Sequence, residues 1–333
     1  MTRFEYHLTV SFDTTDNKLL YTGKSWYRKG VEDEINIRQN SIDIIFTRSS
    51  KVDMDYIFKP LSPVRYELYR AACFYLAVVG TLPSVQSIVL TGGKESISLD
   101  VERLTRHWNN CQIAVLLKPE TASKCFLQDG KNAYIVLTYF LKAQLDSFPY
   151  DGFRAAWSGL NALYSTLTEK GRERDKLDKL KGLMIGSDMS ETSAYVATLD
   201  ERFWKSLEWY NYVRNLNGKT VNEDLQKIGP RTQDKTIYIQ LANQIRERNK
   251  RDKEFDKDQL EKLISKSLSS RKDNIKEKYV FLVTEYCYML RNRSFHAARP
   301  YPVFGLFDEE NQSTQEQLTE VILHTIADLL FVL

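Results

Sequence analysis

An arginine–asparagine pair and a histidine lie close together in the stretch CYMLRNRSFHAARPYP, residues 287–302. Arg291 and Asn292 end an apolar run, and His296 follows Asn292 by four positions. Histidine can give or take a proton at neutral pH because its unperturbed pKa is about 6.5. Arginine offers a permanent positive fork to phosphate oxygens. These residue types indicate acid–base chemistry on a phosphate ester.

RNA cleavage requires no more than such groups. The ribose 2′-hydroxyl already lies beside its own phosphorus, so a protein must remove that proton, protonate the leaving 5′-oxygen and stabilise the added negative charge. We assign His296 as general acid or base, Arg291 as the residue that stabilises the transition-state charge, and Asn292 as a positioning residue. We expect Arg293 to contact RNA phosphate. This chemistry calls for no metal and no other cofactor.

The spacing of Arg291 and His296 is weak support when taken alone, because an imidazole at a helix end commonly bonds a backbone carbonyl. Context strengthens it. An apolar helix is predicted to run directly into the pair, Pro300 and Pro302 follow the histidine, and a final apolar helix ends the chain.

The stretch LRNRSFHA, together with FRAAWSGLNALY at residues 153–164, resembles the HEPN superfamily (higher eukaryotes and prokaryotes nucleotide-binding). Nucleolytic HEPN proteins carry an Arg, a polar residue that is often Asn, and a His four to six residues after the Arg. The resemblance covers about residues 135–333 and implies an all-α bundle. It implies a metal-independent endoribonuclease that leaves a 2′,3′-cyclic phosphate and a 5′-hydroxyl.

Helix geometry sets a condition on this site. Five residues along an unbroken helix place Arg291 and His296 about 140° apart and about 7.5 Å apart along the axis. One intact helix would not direct both side chains at one phosphate, so either the helix breaks or a second copy contributes. The resemblance implies a homodimer with a composite active site.

The resemblance also implies a biological setting: prokaryotic antiviral defence, abortive infection or toxin activity, with a phage or protein trigger. A toxin branch of the family has a modified Tyr two residues after the motif His, but this chain has Ala298 there. We therefore do not expect control by nucleotidylation of that tyrosine.

The first 125 or so residues are predicted to be rich in strands, with alternating segments such as YHLTVSF and SIDIIF. One buried helix is predicted at residues 61–80, with Pro63 near its start and Gly80 at its end. Gly92 and Gly93 lie between two alternating runs and predict a hairpin in which both turn positions have φ > 0.

After about residue 130 the apolar period changes toward 3.6, which predicts helices. A helix that includes residues 153–167 is expected to carry an apolar stripe on one face. Another helix is expected to span residues 201–218 and to end at Gly218. The last helix is expected to have a capping box formed by Ser313 and Glu316. The stripe consists of Phe153, Trp157, Leu160, Tyr164 and Leu167.

The predicted fold class is α+β, with a strand-rich sensor or regulatory domain at residues 1–128 and a HEPN-like helical domain at 129–333. The four cysteines include no C-x-x-C pair and suggest neither a zinc site nor disulfides. The sequence contains no run of 18 apolar residues, so no membrane span is predicted. We expect a cytoplasmic protein. A net charge of +3 is too small to indicate a nucleic-acid binder by itself.

Two other functions remain open from the sequence. A non-catalytic HEPN-like module would bind a nucleotide or a partner protein and use the Arg–His pair structurally. A metal nuclease in the N-terminal domain would need a ligand cluster, and the sequence shows none there.

Overall fold

The computed structural model describes most of the chain. The described residues are 4–28, 31–49, 51, 57–59, 62–93, 95–106, 108, 111–127, 130–167, 171–214, 232–249, 257–295 and 309–332. Among these residues, six strands and one α-helix come first along the chain, and the helices after residue 100 follow them, which confirms the predicted α+β class.

Six strands form an antiparallel sheet in the order β2-β3-β4-β1-β5-β6. Their bounds are β1 Phe4–Phe12, β2 Leu19–Arg28, β3 Val31–Arg38, β4 Ser41–Arg48, β5 Val85–Gly92 and β6 Glu95–Ser98. Alternate residues of β1 are buried, as expected for a strand with one apolar face. These residues are Tyr6, Leu8, Val10 and Phe12.

Helix α1, Pro63–Val79, packs on the apolar face of the sheet. The Tyr75 hydroxyl donates to the Gln39 carbonyl oxygen at 2.8 Å, and the Tyr75 ring lies 5.0 Å from that of Phe12. Gly80 ends the helix with φ 89°, a left-handed conformation that glycine adopts without strain. The helix predicted at residues 61–80 is thereby confirmed.

The predicted hairpin is present as β5–β6, but its turn lies one residue later than expected. Gly92 still pairs with Glu95 in the ladder, and Gly93 has φ 61°. Because Gly92 remains in the strand, it is not a turn residue, and the expectation of positive φ at both glycines was wrong for Gly92.

A buried ionic cluster joins α1 to the sheet. Glu67 and Ser25 are fully buried, and Arg70 is 4% exposed. Ser25 Oγ donates to Glu67 Oε2, and Arg70 Nη1 donates to Ser25 Oγ at 2.8 Å and lies 3.3 Å from Glu67 Oε1. Burial raises the pKa of Glu67, while Arg70 and Ser25 oppose that shift. Each charge in this cluster therefore depends on its partner.

Among the described residues, four further α-helices follow before residue 170: α2 Val101–Thr105, α3 Pro119–Ala122, α4 Lys131–Leu145 and α5 Pro149–Leu167. The predicted apolar stripe of α5 is buried at Phe153, Trp157, Leu160 and Tyr164. Helix α4 packs against both α1 and α5, and the rings of Tyr66 and Tyr134 meet edge to face at 5.2 Å.

In the part of the chain that the structure describes, the remaining α-helices are α6 Glu173–Gly186, α7 Ser190–Thr198, α8 Glu201–Ser206, α9 Trp209–Arg214, α10 Lys235–Asn249, α11 Lys257–Leu268, α12 Ile275–Phe281, α13 Tyr288–Phe295 and α14 Glu309–Leu329. A π-helical segment, Leu282–Cys287, connects α12 to α13. No described helix is long and apolar enough to cross a membrane.

Two expectations for these helices were wrong. Residues 201–214 form two helices because Leu207 is extended and the Glu208 N–H donates to the Tyr286 hydroxyl at 2.7 Å instead of continuing a helix. The predicted end at Gly218 lies outside the described residues. Helix α14 begins at Glu309, so Ser313 lies within it and does not cap it.

The chain divides into two compact units, Met1–Glu169 with Leu329–Leu333, and Lys170–Asp328. The division lies further along the chain than the boundary expected after residue 128. Helices α4 and α5 explain the difference, because α4 packs on α1 and α5 packs on α4 within the first unit.

Candidate functional site

The Arg–Asn pair lies near the end of a continuous helical stretch formed by α12, the π-helical segment and α13. The Asn274 side chain caps its start by accepting a hydrogen bond from the Glu277 N–H. Tyr279, Leu282 and Cys287 are among its buried residues. The apolar side chains therefore fix this stretch in the second unit and bring Arg291 to its far end.

The π-helical segment precedes the pair directly. Such widened turns are rare, and they occur often at functional sites. Tyr286 within it accepts the Glu208 N–H, and Glu285 Oε2 accepts a hydrogen bond from the Tyr212 hydroxyl at 2.8 Å. Contacts with the segment around α9 thus hold the widened turn, and with it the orientation of α13.

Arg291 and Asn292 contact each other through their side chains. Arg291 Nη1 donates to Asn292 Oδ1 at 2.8 Å, a normal hydrogen-bond length. Both residues are half-buried, and the Arg291 side chain is 20% exposed. The amide therefore orients a guanidinium that solvent, and hence a phosphate, can still reach.

A carboxylate from a neighbouring helix faces the same guanidinium. Glu173 Oε2, at the start of α6, lies 3.6 Å from Arg291 Nη1. This distance is too long for a hydrogen bond but short enough for charge attraction. The described part of the site thus has a guanidinium between an amide of its own helix and a carboxylate of another.

The structure describes some of the predicted site residues and not others. It brings Arg291 and Asn292 together. Arg293 lies on α13, but its side chain is outside the described residues, as is the whole of His296. The helix continues without a break from Arg291 to Phe295, so no break separates Arg291 from the residue before His296.

Sequence reasoning missed Glu173. A signal was present, because Glu173 precedes Leu177, Leu180 and Met184 at the spacing of one helix face. A carboxylate that continues a buried apolar stripe requires a partner of opposite charge. A cation near the end of an adjacent helix can be that partner.

Two other titratable side chains of the second unit, Cys287 and His324, have perturbed pKa values. Burial raises the pKa of the Cys287 thiol, which is fully buried and not available as a nucleophile. Burial lowers the pKa of His324, whose ring stacks on Tyr195 at 4.8 Å. This burial favours the neutral imidazole of His324.

Among the described residues, no three His, Cys, Asp or Glu side chains come together as ligands of a metal ion would. Comparisons of the chain with known protein families, curated proteins and solved structures find no match. Function is therefore inferred from the arrangement of Arg291, Asn292 and their neighbours.

Proposed function

We propose that this protein is a metal-independent endoribonuclease of HEPN type. The observation that supports it best is the hydrogen bond between Arg291 and Asn292, which orients a half-buried guanidinium near the end of a helix, five residues before His296 in the sequence. Oriented guanidinium groups bind phosphate oxygens through paired N–H donors. The proposed roles are those expected from the sequence.

In the proposed reaction the ribose 2′-oxygen attacks the adjacent phosphorus, and an imidazole removes the 2′-hydroxyl proton. Arg291 stabilises the extra negative charge on the phosphorane, and Asn292 holds the guanidinium in place. The bond to the 5′-oxygen then breaks, and that oxygen receives a proton from an imidazole. The products are a 2′,3′-cyclic phosphate and a 5′-hydroxyl.

Cleavage of labelled RNA in EDTA tests this proposal. We expect the wild-type protein to cleave, and Arg291→Ala and His296→Ala to lose at least about a hundredfold in rate, because acid–base catalysis and charge stabilisation each contribute that much. Arg202→Ala and His7→Ala are matched controls, since both residues are exposed and lie on α8 and β1. Cleavage by His296→Ala at the wild-type rate would contradict the proposal.

A non-catalytic module is the second candidate, and the contact with Glu173 is the observation that favours it, because an arginine that pairs with a carboxylate can be purely structural. In that case no RNA is cleaved under any trigger, and partner binding is unchanged in Arg291→Ala. Loss of activity in EDTA together with indifference to His296 would point instead to a metal nuclease elsewhere in the chain.

The wider assignment is also a proposal. RNA is the substrate, two copies form a composite active site, and a phage or protein trigger acts through the strand-rich unit in antiviral defence, abortive infection or toxin activity. Support for this setting comes from the sequence resemblance. Arg293 remains the proposed additional phosphate contact.

A further inference from the structure

Glu173 occupies a position on α6 that otherwise belongs to the buried face of that helix. It is followed at four, seven and eleven residues by Leu177, Leu180 and Met184, all buried. This spacing places the four side chains on one face. The Glu173 carboxylate is therefore directed toward the helix that packs against α6.

That packed neighbour is the helical stretch that carries Arg291, and it runs antiparallel to α6. Near its start, Lys276 Nζ donates to the Ile185 carbonyl oxygen at 2.9 Å and the Tyr279 hydroxyl donates to that of Met184 at 3.3 Å. Near its end, Glu173 faces Arg291. Contacts at both ends fix the register, so the carboxylate cannot move along the partner helix.

We propose that Glu173 is a positioning residue for Arg291, an inference that rests on the proposed ribonuclease function. Arg291 Nη1 donates to Asn292 Oδ1 and lies 3.6 Å from Glu173 Oε2, so it is attracted from two directions. The side chains are 20% and 34% exposed, which leaves their attraction less screened than a surface pair. The first turn of α6 also favours a negative charge.

Glu173→Gln tests this role because it keeps the shape and removes the charge. We expect kcat for RNA cleavage to fall about tenfold to a hundredfold with KM about unchanged. A misdirected guanidinium stabilises the transition state less well, while its effect on substrate binding is small. Asp178→Asn is the matched control. It removes one negative charge from the exposed side of the same helix and is expected to retain wild-type kcat.

A second measurement separates positioning from a general structural role. Free guanidinium added to Arg291→Ala is expected to restore part of the activity while Glu173 is present. The double variant Arg291→Ala, Glu173→Gln is expected to show no such rescue, because the carboxylate that would hold the added cation is gone. Equal rescue in both proteins would overturn the inference.

Failure of the inference and failure of the ribonuclease proposal give different results. Wild-type kcat in Glu173→Gln, or tighter RNA binding by it, overturns the inference and leaves the ribonuclease in place. If the wild type cleaves no RNA, the ribonuclease proposal fails. In that case the rotation rate of the Arg291 guanidinium, measured by nitrogen NMR without RNA, tests the positioning role of Glu173. Slow rotation in the wild type that becomes fast in Glu173→Gln supports this role, and equal rates in the two proteins overturn it.

Discussion

The role of a single side chain in this protein depends on the groups that hold it. Arg291 is half-buried between an amide and a carboxylate, whereas His324 is stacked on Tyr195 in surroundings whose burial favours its neutral form. An oriented cation can meet a phosphate, and a stacked neutral imidazole contributes to packing. Residue type alone does not separate these two roles, but the surroundings do.

His324 should make the stability of the second unit sensitive to acid. Burial lowers its pKa below 6.5, with Glu320, Glu191 and Asp328 opposing the shift. A depressed pKa means that the unfolded chain binds the proton more readily, so this contribution to stability is present above about pH 6.5 and is lost as the pH falls through the folded value. We expect His324→Phe, which keeps an aromatic ring against Tyr195, to lose less Tm than the wild type between about pH 7 and about pH 5.

Differential scanning calorimetry across this range provides the measurement. Burial raises the pKa of Asp328, which acts on stability with the opposite sign, but Asp328 is present in both proteins and its effect largely cancels in the comparison. Identical slopes of Tm against pH in the two proteins would show that His324 does not titrate in this way.

At the scale of elements, the attachment of α1 to the sheet combines apolar packing with a buried charge cluster. Phe74, Tyr75 and Leu68 are buried on the helix, yet Glu67 and Arg70 are buried beside them. The Arg70 guanidinium also lies 4.9 Å from the Tyr66 ring centroid. The cluster favours one register of helix on sheet, because Ser25 on β2 donates to Glu67 and accepts from Arg70, and a slip of the helix would break both hydrogen bonds.

Arg70→Met should destabilise the first unit strongly. The variant retains apolar volume but leaves the Glu67 carboxylate buried without its cation, which costs about 3–5 kcal/mol. The double variant Glu67→Leu, Arg70→Met removes both charges and is expected to recover most of the loss. Urea unfolding gives both free energies. A single variant as stable as the wild type would mean that the pair does not contribute.

Much of the secondary structure could be predicted from the sequence because its signals are local. Pro63 and Gly80 mark the ends of α1, and the spacing of Phe153 and Trp157 gives the face of α5. The break at Leu207 could not be predicted, because the contact between Glu208 and the distant Tyr286 overrode local helix propensity. The spacing of Glu173 indicates the helix face on which it lies, but it does not identify Arg291, which is distant in sequence, as the partner.

At the scale of the whole molecule, the chain leaves the strand-rich unit after Glu169 and returns to it at Leu329. The change in apolar periodicity predicts a boundary after residue 128, because helices begin there. Helices α4 and α5 nevertheless pack in the same unit as the sheet, α4 on α1 and α5 on α4. The second unit contains Arg291 and Asn292, and the proposed nuclease chemistry therefore belongs to it.

A composite active site predicts complementation between two inactive proteins. Arg291→Ala and His296→Ala, mixed under conditions that exchange subunits, should recover part of the activity, because a heterodimer has one intact arginine and one intact histidine in its shared cleft. Two differently tagged samples of His296→Ala serve as the control and should remain inactive. RNA cleavage with purified heterodimers provides the measurement. Heterodimers that form without activity would show that each copy uses its own pair.

The cysteines provide a direct way to follow the helix beneath Arg291. Cys287 is fully buried in the π-helical segment, whereas Cys73, Cys111 and Cys125 belong to the first unit. A thiol reacts as its thiolate, so burial that raises the pKa of Cys287 also protects it from alkylation. The rate at which a maleimide labels Cys287 therefore measures how often this segment opens to solvent.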